Sequence, residues 1–96
     1  MKKAQNWDAA EFLDNPEDVV TYLNAALAEG DAELFNAALG NAARASGMTN
    51  LSREVGVSRD GLYKALSKTG NPSFQTVIKV VKALGLQLTA SPAQTN

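Results

Sequence analysis

Apolar residues in this 96-residue chain recur mainly every three or four positions, the spacing that buries one stripe of a helix. Val19, Val20, Leu23, Ala26 and Leu27 form the first stripe. Asn15 can cap it, Pro16 suits the first helical position, and Gly30 ends it. Asp31 caps a second helix, with Leu34, Phe35, Ala38, Leu39 and Ala42 on one side and Gly47 as its end. Leu51, Val55, Val57, Leu62 and Ala65 have the spacing of two short helices crossing over a small core. Gly56 supplies the left-handed residue between them, Val57 plugs the corner, and Ser58 caps the second of the pair. Gly70-Asn71-Pro72 is expected to stop that helix and Ser73 to start the next, whose Phe74, Val77, Val81 and Leu84 should close the core before Gly85. Residues 86–90, Leu-Gln-Leu-Thr-Ala, alternate apolar and polar as a short exposed strand does, and the polar tail 91–96 is expected to fray. Near the start, Asp8 and Glu11 make a capping-box pattern and Trp7 can staple onto Phe12. The expected fold is all-α, with five to six helices and a C-terminal extended strand in a single domain over 1–96. Within it, residues 7–47 form acidic helices and 48–85 the helix pair with its closing helix.

With 45% hydrophobic residues the chain can bury one core, although a chain this size gains from oligomerisation. It contains no Cys and no His. Disulfides, thiol nucleophiles, zinc fingers and imidazole acid–base chemistry are therefore excluded. Carboxylates are scattered over separate helices, no Gly-rich phosphate loop follows a strand, and no metal-ligand spacing exists. The expectation is a binding protein with no catalytic residue, no cofactor and no metal. No apolar run approaches the roughly 20 residues of a membrane span, and the opening Met-Lys-Lys-Ala-Gln-Asn-Trp is not followed by an apolar signal core. A cytoplasmic protein is expected.

The net charge of −1 conceals a division along the chain. Residues 1–47 carry three cations against eight acids, a net −5, and residues 48–96 carry six cations against two acids, a net +4. A basic half attracts phosphate while an acidic half faces away or meets a basic partner. The second helix of the short pair turns Arg59, Asp60, Tyr63, Lys64 and Lys68 outward behind Ser58, where such a motif presents side chains to the DNA major groove. Lys79 and Lys82 read as a solvated face. Gly61 is unusual, because glycine inside a helix costs about 0.8–1.0 kcal/mol relative to alanine. Either its missing Cβ permits close approach to a partner or a weak residue is tolerated.

The run from Met48 to Leu86, with Gly56-Val57-Ser58-Arg59 at the turn and Asn71-Pro72-Ser73 ahead of Lys79-Val-Val-Lys-Ala-Leu-Gly85, resembles the Cro/phage-repressor helix-turn-helix class. Ser58-Arg-Asp-Gly-Leu-Tyr-Lys-Ala-Leu66 followed by Gly70-Asn-Pro-Ser73, behind an acidic leader containing Tyr22-Leu-Asn-Ala-Ala-Leu27, is similar to the HigA-like addiction module antidotes of bacterial toxin–antitoxin operons. The similarity runs from about Trp7 to Ala90. It implies a bacterial autoregulator that represses its own operon by binding double-stranded, palindromic operator DNA as a homodimer. It also implies a second partner, a small basic RelE/ParE-like toxin that the chain neutralises. The chain departs from the class at two positions. Met48, with Thr49 and Asn50 beside it, stands where a phosphate-binding Gln is usual, and Ser52 replaces a packing Ala. The unpaired edge of Leu86, Gln87, Leu88 and Thr89 could join its twin or the toxin's sheet. Trp7, Asp14, Glu17 and Asp18 could face the toxin, or Trp7 could close the core while the acids keep the chain soluble. A phage-type repressor without a toxin partner, and a toxin-binding module with little DNA affinity, are the alternative functions.

Overall fold

The computed structural model describes residues 15–93. Trp7, Asp8, Glu11, Phe12 and Asp14, and with them the expected capping box and staple, lie outside the described residues. The order of elements is α1 (Pro16–Ala28), α2 (Ala32–Ser46), α3 (Met48–Val55), α4 (Arg59–Ala65) and α5 (Phe74–Ala83). Four of the five starts are capped by side chains. Asn15 Oδ1 accepts from Asp18 N at 2.9 Å, Asp31 Oδ1 from Glu33 N at 3.0 Å and Leu34 N at 3.2 Å, and Ser73 Oγ from Thr76 N at 3.1 Å. Ser58 does the same for α4, and α3 starts from Gly47 with no side-chain cap.

Each helix contributes to one core. Leu39, Leu62 and Val80 are fully buried, Leu23 and Ala26 enter from α1, and Met48, Leu51 and Val55 from α3. The inward side of α2 is made of small residues, Ala38, Gly40, Ala42 and Ala43, which let neighbouring backbone come close. Gly40 shows how close: a Cβ there would land on the backbone carbonyl oxygen of Leu66. α1 packs on α2, and α3 packs on α2, α4 and α5.

Several sequence expectations change here. The helix expected to run to Gly70 ends at Ala65, and Leu66, not Ala65, is the buried residue of its last turn. The cause lies in α2. Asn36 Nδ2 donates to Ala65 O at 2.8 Å, a carbonyl that a continuing helix would bond to its own N–H, and to Ser67 O at 2.6 Å, which also accepts from Gly70 N at 3.0 Å in a turn. Gly70 then folds back against the Lys64 and Ala65 carbonyls, where a Cβ would not fit. Phe74 was expected in the core and is 71% exposed. It is the first residue of α5, on the same stripe as Val77 and Val81 but two turns before Val81, where that stripe is buried.

Residues 86–90 form no strand. A strand needs a partner ladder, and the described residues provide none. The alternation instead begins in a helix cap. Gly85 takes φ 82°, its N–H donates to Lys82 O at 2.9 Å, and Leu86 N donates to Val81 O at 3.1 Å. This is the doubly bonded left-handed ending that seats the following apolar residue on the helix, and Leu86 packs half-buried against the core.

Candidate nucleic-acid interface

α3 and α4 are joined by Gly56-Val57-Ser58. Gly56 has φ 83°, a left-handed value that costs glycine nothing, and Val57 packs half-buried against the core to set the angle of the corner. Ser58 Oγ accepts from Gly61 N at 3.0 Å and starts α4. This assigns Gly61 a role inside the chain. A Cβ on Gly61 would stand 2.9 Å from Ser58 Oγ and 3.2 Å from Val57 Cγ1, so the missing side chain makes room for the cap and the corner.

Beyond that corner, α4 exposes Arg59, Asp60, Tyr63 and Lys64. Arg59 is held on two sides. Its Nη1 donates to Thr49 Oγ1 at 3.2 Å, tying the start of α4 to the start of α3, and its guanidinium carbon stands 6.0 Å from the centre of the Tyr63 ring, at the outer reach of a cation–π contact. Thr49 and Asn50 are exposed at the start of α3, and Asn50 Oδ1 accepts from Arg53 Nη1 at 3.2 Å. Met48 is buried, so the position where the Cro class often has Gln serves the core. Ser52 is half-buried and its Oγ donates to Thr49 O at 2.9 Å.

Lys68 does not continue the row on α4, because the helix has ended three residues earlier. It lines a hollow between α2 and the end of α4 together with Tyr63 and Arg44. Arg44 is an exposed cation to which the spacing of apolar residues gave no pointer, and it also donates to Asn41 Oδ1. The exposed surface thus runs from Thr49 and Asn50 through Arg59 and Tyr63 to Lys68 and Arg44.

Asn36 and Gly40 bear on this surface without belonging to it. One turn apart on α2, they meet the carbonyls of residues 65–67 and fix where α4 stops. A signal for them existed: a polar residue and a glycine four apart, sharing a helical face with Leu39 and Ala43. Glu17 and Asp18 occupy the exposed first turn of α1, where their charge favours the helix start. Leu88 and Gln87 lie beside α1, in a hollow with Leu27 and Phe35, and Thr89 is exposed. Among the described residues no three acidic side chains converge as a metal site would require. No helix of the described residues is long and apolar enough to cross a membrane.

Residues 3–92 match the family model described as "Probable addiction module antidote protein". A protein of Haemophilus influenzae (strain Rd), named only as an uncharacterized protein, is 51% identical over 86 residues, covering 90% of this chain and 89% of that relative. No solved structure matches the chain.

Proposed function

The chain belongs to the addiction module antidote family, and from that premise we propose that it binds operator DNA through α4, represses its own operon and neutralises a small RelE/ParE-like toxin. In this reading α3 and α4 act as a Cro-type helix-turn-helix in a cytoplasmic bacterial regulator that works by binding and not by catalysis. α4 lies in the major groove, where Arg59 can give two parallel hydrogen bonds to guanine O6 and N7. Asp60 and Tyr63 complete the base-facing row, Lys64 meets backbone phosphate beside it, Ser58 holds its start, and Thr49 and Asn50 meet the flanking phosphates. Lys68, off the helix and next to Arg44, contacts backbone phosphate and carries no sequence preference.

The observation that carries the proposal is the Arg59–Thr49 bond across the corner, which presents the starts of both helices on one exposed surface. A domain this small contacts few base pairs, so a homodimer on a palindrome supplies the selectivity. The acidic half, including Trp7, Asp14, Glu17 and Asp18, is left for a basic toxin. Complementary charge there speeds and selects the association.

Gel shift with the DNA upstream of the gene tests the reading. Arg59→Ala should lose about 1–3 kcal/mol of operator affinity and relax preference at one base pair per half-site. Binding equal to wild type would remove α4 from the groove.

A further inference from the structure

We infer that the groove between α1, α2 and α5 is the seat of the basic partner: it takes a protein segment with an apolar helical face flanked by Lys or Arg. This rests on the antidote reading and gives that reading a surface. Six large apolar side chains are exposed among the described residues, and four of them, Val20, Leu27, Phe74 and Leu88, line this one region. They are as much as 68 positions apart in sequence and are brought together only by the fold, around the packing of α1 on α2. The region consists of two adjoining hollows of about 380 and 570 Å³ that share Leu27, Phe35 and Leu88 as lining residues. Exposed apolar surface of this kind, gathered in a concave strip, marks an interaction site.

The rim selects the occupant. Among the described residues the charged ones lining the two hollows are Asp31 and Glu33, both acidic, with Glu29 exposed two positions before. Among the described residues no cation lines either hollow, whereas the hollow beside α4 is lined by Arg44 and Lys68. Nucleic acid is therefore repelled from the groove that attracts a cationic protein segment. An amphipathic helix laid in an apolar groove uses side chains one turn apart as anchors, and Phe74 and Leu27 stand ready to receive them.

The test uses the full chain and the purified small protein encoded beside its gene, with binding followed by calorimetry and association rates by a salt series. Phe74→Asp and Leu27→Asp place a charge at exposed positions and should weaken binding at least about tenfold, while circular dichroism and operator binding stay as in wild type. Asp31→Asn with Glu33→Gln keeps the cap of α2, since Asn caps as well as Asp, and should slow association at low salt. Wild-type affinity and rates in all these variants would overturn the groove and leave the antidote reading standing. Failure of the unaltered chain to bind that protein would overturn both. If Phe74→Asp turns a dimer into a monomer in sedimentation, a second copy fills the groove and the proposal falls. Trp7 is the one tryptophan of the chain, so a shift of its emission in free Phe74→Asp would place residues 1–14 in the groove, with the same consequence.

Discussion

Asn36 is 7% exposed, and its amide nitrogen bonds two carbonyls about thirty residues further along the chain. Removing it takes the amide partner from the Ala65 carbonyl, while Ser67 O keeps Gly70 N–H, at a cost of about 1–3 kcal/mol, so Asn36→Ala should unfold at clearly lower urea concentration. Gly40 makes the complementary case. Helix propensity alone says that Gly40→Ala stabilises by up to about 1 kcal/mol, but the new Cβ would collide with the Leu66 carbonyl. The expected outcome is a loss of stability in the same urea experiment. A gain would mean that α2 and the end of α4 can separate without penalty.

At the scale of an element, α4 has only seven residues and depends on its start. The Ser58 Oγ bond to Gly61 N satisfies one of the free donors there, so Ser58→Ala should cost about 1 kcal/mol. Gly61→Ala improves propensity but pushes against Ser58 Oγ and Val57 Cγ1, and should yield none of the roughly 1 kcal/mol expected of an open helical site. Because the two residues touch, their effects are coupled. Gly61→Ala should be better tolerated in a Ser58→Ala background, where one of the two obstructing atoms is gone. Thermal unfolding of the two single variants and the double variant measures this, and strict additivity would show that the cap does not restrict position 61.

Over the whole molecule, charge is divided by sequence half, −5 before residue 48 and +4 after it. A protein with a DNA-facing half and a partner-facing half avoids like-charge repulsion at both interfaces. Operator affinity should therefore fall as salt rises. Lys64→Ala and Lys68→Ala should each flatten the logarithmic salt slope by about 1 while leaving the preferred sequence unchanged. A change of preferred base in Lys68→Ala would contradict its assignment to backbone phosphate. If the chain binds a palindromic operator as a dimer, the half-sites should lie about 34–36 Å apart, which footprinting of the protein–DNA complex can measure.

Caps, stripes and turns were readable from the sequence because each depends on neighbours within a few positions. Asn15, Asp31, Ser58 and Ser73 bond N–H groups two or three residues on, and Gly30, Gly47, Gly56 and Gly85 take positive φ at helix ends. The exposed row Arg59, Asp60, Tyr63 and Lys64 was equally readable, since register on a short helix follows from its buried Leu62. The family, too, could be recognised from the run around Ser58–Leu66 and Gly70–Ser73. Tertiary structure alone decided where α4 stops, because the amide that stops it comes from α2. It also decided against a strand at 86–90, since alternation shows that a segment could pair but not that a partner exists. Phe74 kept its predicted helix and stripe yet remained outside, because depth in a core depends on what lies opposite. The groove that joins Val20, Leu27, Phe74 and Leu88 has no local pattern at all: it exists only where α1, α2 and α5 meet.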